Sequence, residues 1–96
     1  MEADMNDSAV LVRISGRVQG VSFRIWTQRE ARRLGLNGWV RNERDGSVSA
    51  LISGPEEAVT SMLDAFWQGP PGCEVRSVVQ ETASPADVSA GFNITA

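Results

Sequence analysis

Histidine, lysine and tyrosine are absent from this 96-residue chain, and cysteine occurs once, at position 73. Each absence removes a kind of chemistry. Without histidine there is no side chain whose ordinary pKa suits a general base near neutral pH, and no Ser-His-Asp arrangement. Without lysine there is neither a Schiff-base amine nor the lysine of a P-loop. One cysteine with no imidazole cannot build a thiolate or imidazole metal site, and Cys73 has no internal partner for a disulfide. It reads as a small structural or surface residue, and no metal or cofactor is expected. Apolar runs are only a few residues long, so no membrane span is expected. The polar, acidic opening Met1–Ser8 lacks the apolar stretch of a signal peptide, and the chain reads as cytoplasmic. Any catalysis must then work by positioning and electrostatics.

Net charge is small as well. Arginine alone supplies the nine positive charges against twelve acids, a formal net charge of −3. Glu2, Asp4 and Asp7 account for three of the acids, so the chain from Ala9 onward is neutral. A neutral body argues against a broad nucleic-acid footprint. Arg13, Arg17, Arg24, Arg29, Arg32, Arg33 and Arg41 nevertheless gather in the first half of the sequence. A local field favouring anions is one reading. For Arg29, Arg32 and Arg33 a solvated helix face is the other.

Hydrophobic periodicity divides the rest. Val10, Val12 and Ile14 alternate with Leu11, Arg13 and Ser15, which predicts a strand over Ala9–Ser15. A helix is predicted from Ser22, placed as its N-cap, to Leu34, with Phe23, Thr27, Ala31 and Leu34 on one face and Gly35 just past the end. Leu36–Asn42 and Ser47–Ser53 read as strands joined by the turn Glu43-Arg44-Asp45-Gly46, whose Asp-Gly pair would supply positive φ. Gly54-Pro55 opens a second helix with proline in its first turn, and Glu56 and Glu57 complement the helix dipole. Val59, Met62, Leu63 and Phe66 form its apolar stripe, and Gly69-Pro70-Pro71-Gly72 ends it. A strand over Glu74–Thr82, a loop over Ala83–Ala90 and a short strand over Gly91–Thr95 complete the order βαββαβ with one strand added. That order predicts an α+β, ferredoxin-like sandwich with both helices on one face of an antiparallel sheet. Residues 1–8 are expected to be a disordered acidic lead and 9–96 the domain. Phe23, Leu34, Val59, Leu63 and Phe66 are expected to cover Val10, Val12, Ile14, Val48 and Ile52.

One run could do chemistry. Gly16-Arg17-Val18-Gln19-Gly20-Val21-Ser22-Phe23-Arg24 lies between the first strand and the first helix. Its two glycines free the backbone to curl, so the amides of Arg17, Val18, Gln19, Gly20, Val21 and Ser22 can point at one small anion. Arg24 adds a permanent charge and a planar fork of donors suited to phosphate. Gln19 is read as shaping the loop, and Ser22 as a cap, since no base accompanies it. Trp39 and Trp67 read as packing residues, with Trp39 also able to border the site; Trp26 is expected to be partly exposed near the site entrance.

A second run, Gly38-Trp39-Val40-Arg41-Asn42-Glu43-Arg44-Asp45-Gly46-Ser47-Val48, sharpens the first. Together the two closely resemble the paired signatures of the acylphosphatase family, and the likeness extends over about Val10–Val79. The resemblance implies hydrolysis of acyl phosphates to a carboxylate and inorganic phosphate without a metal. It implies that Arg24 binds the phosphate with the loop amides and that Asn42 orients the attacking water. It also implies a small-molecule substrate; a monomer is the default, with no nucleic-acid or membrane partner. The competing reading is a non-catalytic, phosphate-recognising ferredoxin-like module. The last strand departs from the family pattern by ending in Ala96, which places its stability in question.

Overall fold

The computed structural model describes residues 7–95, so the first six residues of the expected lead lie outside the described residues. Seven elements follow in order: β1 (Asp7–Arg17), α1 (Phe23–Arg33), β2 (Asn37–Asn42), β3 (Val48–Pro55), α2 (Glu56–Gln68), β4 (Glu74–Ala83) and β5 (Phe92–Ile94). A single 3-10 turn at Pro85–Asp87 interrupts the loop before β5. β1 starts two residues earlier than the alternation suggested, because Asp7 and Ser8 pair with Pro55 and Gly54 on β3.

The strands form one sheet in the order β4-β1-β3-β2-β5. Ladder pairing puts Val12, Ala50 and Val40 in one row, and Ile14, Val48 and Asn42 in the next. All but Asn42 are fully buried, because this face carries the helices: α1 lies over β2 and β5, and α2 over β4, β1 and β3. Removing these branched aliphatic side chains from water supplies most of the driving force, about 25 cal/mol for each Å² of apolar surface buried. The expected core holds for Phe23, Val59, Phe66, Val12, Ile14, Val48 and Ile52, while Val10, Leu34 and Leu63 sit half-buried at its margin. Val18, Leu36, Met62 and Phe92 join it as well. Between the helices, the Phe23 and Phe66 rings stack with centroids 6.2 Å apart, and Trp26 tilts against both.

Four expectations need correction. The sheet is mixed, since β5 runs parallel to β2. β4 runs opposite to β2, and the loop after it reverses the chain, so the strand that returns at the far edge must run with β2. Ser22 occupies the N-cap position of α1 but adopts a left-handed conformation at φ 65°, and its side chain makes no capping hydrogen bond. A side-chain cap needs the extended backbone that aims the hydroxyl at the next turn. Pro55 precedes the first turn of α2, closing β3 and standing at the N-cap. In the β2–β3 turn only Gly46 has positive φ. Asp45 contributes differently, as its Oδ1 accepts from the Ser47 N–H at 2.9 Å and the Ser47 hydroxyl at 2.6 Å, an Asx-type turn.

Candidate active site

The loop between β1 and α1 is positioned by a break in the ladder. At Ser15/Gly16 the β1–β4 register shifts, and Gly16 adopts φ 128° against the β4 backbone. A Cβ at Gly16 would collide with the carbonyl oxygen of Glu74, so only glycine allows the bulge that turns the chain into the loop. Val18 then anchors the loop by burying its side chain, 1% exposed. Gly20 at φ 76° and Ser22 at φ 65° curl the chain twice more. A left-handed serine is uncommon, and strain of that kind is concentrated at ligand-binding turns. Among the described residues, no hydrogen bond takes up the main-chain N–H of Val18, Gln19, Gly20, Val21 or Ser22.

Beside these free donors lies a pocket of about 390 Å³ lined by Val18, Gly20, Ser22, Phe23, Arg24, Ile25, Asn42 and Ile94. Arg24, in the first turn of α1, makes no ion pair among the described residues. Asn42 reaches the pocket from the end of β2, in the row that faces the helices. Its Oδ1 is buried with no hydrogen-bond partner. A buried carbonyl oxygen without a donor costs about 1–3 kcal/mol.

The acylphosphatase family model matches residues 10–94. The chain belongs to the acylphosphatase family. An acylphosphatase of Rhizobium meliloti (strain 1021) is 67% identical over 87 residues, which cover 91% of this chain and 92% of that protein. The structure of an acylphosphatase from Coxiella burnetii superposes with a TM-score of 0.93 at 30% identity, covering 99% of each chain. The acylphosphatase from Bacillus subtilis gives 0.89 at 35% identity over 93% of this chain and 99% of its own.

Within this acylphosphatase fold, the candidate residues of the sequence separate. Val18, Gly20, Ser22, Arg24 and Asn42 meet in the pocket; Arg17 is exposed outside its lining. Gln19 also lies outside the lining, with its amide donating to the carbonyls of Glu43 and Ser47. The cluster of arginines disperses. Arg13 pairs with Asp45, Arg33 with Glu30 and Arg41 with Glu43, while Arg32 donates to the Phe92 carbonyl. Trp39 does not border the pocket: it projects on the opposite face of β2, under the Arg41 guanidinium at 4.6 Å. Trp26 packs between the helices and not at the pocket mouth, and Trp67 is 53% exposed, so it is not a packing residue. Burial pushes the Cys73 thiol up, which keeps it protonated. Phe23, read only as a core residue, and Ile25 and Ile94 are the lining residues that sequence reasoning missed. Ile25 was visible only as the neighbour of Arg24, and Ile94 enters through the parallel pairing of β5.

Proposed function

We propose that this chain carries out its family's reaction, hydrolysis of an acyl phosphate to a carboxylate and inorganic phosphate, in the pocket shared by Arg24 and Asn42. The observation that carries the reading is the unpartnered, buried Oδ1 of Asn42 in the same pocket as the unpaired Arg24. Phosphoryl oxygens accept hydrogen bonds from the free amides of residues 18–22 and from the Arg24 guanidinium; Arg17 of β1, paired with Glu74, stands apart from them. A water donating to Asn42 Oδ1 is held against the phosphorus, since a neutral amide oxygen accepts at any ordinary pH. Attack forms the new P–O bond as the bond to the acyl oxygen breaks, and the electron pair leaves on the carboxylate. A carboxylate is a good leaving group and needs no general acid. The proton of the water passes to a phosphoryl oxygen of the substrate, so the missing histidine is not required. Fixed donors stabilise charge that spreads over the phosphoryl oxygens in a loose transition state.

A pocket of about 390 Å³ suits a small-molecule substrate. Hydrolysis of benzoyl phosphate, followed with and without added inorganic phosphate, tests the assignment. Arg24→Gln is expected to lose about 10²–10³ in turnover and to lose inhibition by phosphate, as removal of a transition-state donor does. Asn42→Ala is expected to lose turnover while keeping that inhibition. Near-normal turnover in either variant removes the corresponding role. Phosphate binding without any turnover in the native chain would identify a recognition module instead.

A further inference from the structure

Gln19 belongs to the cradle loop, yet its side chain is spent on the β2–β3 hairpin. Its Nε2 donates to the Glu43 carbonyl at 2.8 Å and to the Ser47 carbonyl at 2.9 Å. Both partners are carbonyl oxygens, which can only accept, so the orientation of the carboxamide is fixed by its surroundings. The two carbonyls stand at the mouth of the hairpin, that of Glu43 directly after Asn42 and that of Ser47 directly before its ladder partner Val48. The Glu43 N–H closes the same mouth by donating to the Ser47 carbonyl at 2.8 Å. Among the described residues, no other hydrogen bond joins residues 18–22 to the hairpin.

The Asn42 side chain makes no hydrogen bond of its own among the described residues, and its Oδ1 is buried. Its aim is therefore set by the main chain that carries it, and Gln19 bonds the next carbonyl along that chain, Glu43, and the carbonyl of Ser47 beside its ladder partner. We propose that Gln19 is a positioning residue: its carboxamide sets the separation between the phosphate on the loop and the water on Asn42. It acts on the rate through Asn42, and so rests on the reading of Asn42 given above. The clamp is separable from folding. Without Gln19 the Ser47 carbonyl keeps the Glu43 N–H, and the Glu43 carbonyl keeps the Gly46 N–H at 3.3 Å. Neither acceptor is orphaned.

Gln19→Met keeps the length of the side chain and removes both donors. With benzoyl phosphate, kcat is expected to fall about tenfold, the scale of a small misplacement of a reacting group. KM and the inhibition constant of inorganic phosphate are expected to stay within about twofold, since the loop amides are untouched. On an Asn42→Ala background the same substitution is expected to cost nothing further. Gln19→Leu also removes both donors without adding charge to the phosphate loop; it is expected to show the same loss confined to kcat, and it serves if Gln19→Met folds poorly. Unchanged kcat in both variants overturns the proposal, as does a matched rise in KM and in the phosphate inhibition constant. A slow Asn42→Ala enzyme from which Gln19→Met removes the same factor again overturns the clamp alone. Asn42→Ala at the native rate overturns the water-holding reading and the clamp with it, and that single variant shows it before Gln19 is changed.

Discussion

Arg32 donates from its Nε to the main-chain oxygen of Phe92 at 3.2 Å, and Gln28 Nε2 reaches the same oxygen at 3.1 Å. α1 thus grips β5 by its backbone, while Asn37 Oδ1 accepts from the Gly91 N–H at 2.8 Å and the Phe92 ring is buried at 1% exposure. These contacts explain how a strand of only three residues, Phe92–Ile94, holds its place. Arg32→Met keeps the stem over the helix and removes the donor. It is expected to lower stability by about 1 kcal/mol, because Gln28 still satisfies the carbonyl. A urea midpoint equal to that of the native chain would show that the bond contributes nothing.

The sequence made all five strands and both helices legible, most of them because their apolar residues repeat with periods that only one local structure satisfies. Val12 and Ile14 on β1, or Val59, Met62 and Phe66 on α2, could not be buried together otherwise. The direction of β5 was not legible. It depends on where the loop after β4 delivers the chain, which no local pattern records. Arg24 and Asn42 could be paired because each sits in a dense motif. The separation of the other arginines could not be read, since each found its partner through turns and strand register: Arg13 and Asp45 are 32 residues apart in sequence. The left-handed Ser22 was hidden for a related reason, as serine before a helix ordinarily signals a side-chain cap.

Thr27 faces the core from the middle of α1, fully buried, and its Oγ1 has no hydrogen-bond partner. A buried hydroxyl that forgoes water without a replacement partner is destabilising. Thr27→Val keeps the branched shape and removes the polar atom. It is expected to raise stability by about 1 kcal/mol, visible as a higher urea midpoint, with kcat and KM for benzoyl phosphate unchanged. A lower midpoint would show that the hydroxyl has a partner in solution.

Asp45 ties the β2–β3 turn to pH. The Ser47 hydroxyl and the Ser47 N–H hold its carboxyl below the ordinary value of 3.8, with Arg13 adding a smaller share. A carboxylate whose folded pKa is lowered contributes stability that is fully present above the unfolded value. That contribution is lost as pH falls through the lower, folded value. Asp45→Asn removes the titration while keeping an acceptor for Ser47. Its stability is therefore expected to depend less steeply on acid below about pH 4. Parallel curves for the two proteins in denaturant titrations across that range would exclude Asp45 as a source of the acid sensitivity.

The orientation of the bound substrate follows from the distribution of the pocket lining. Phosphate is assigned to the loop amides and Arg24, which leaves the acyl group against Ile25 and Ile94, with no carboxylate among the lining residues. Ile25 is 49% exposed, a large apolar side chain left open to water beside the one unpaired cation of the pocket. An aromatic acyl group covering it would remove apolar surface from water on both partners, whereas an acetyl group is too small to reach as far. Ile25→Ser is therefore expected to lower kcat/KM for benzoyl phosphate about fivefold to tenfold, the scale of one or two lost methylene contacts in an apolar pocket. The same substitution is expected to leave acetyl phosphate within about twofold, because the phosphate contacts are shared by both substrates and cancel in the ratio. Equal losses on the two substrates would mean that Ile25 shapes the first turn of α1 beneath Arg24 and does not touch the acyl group.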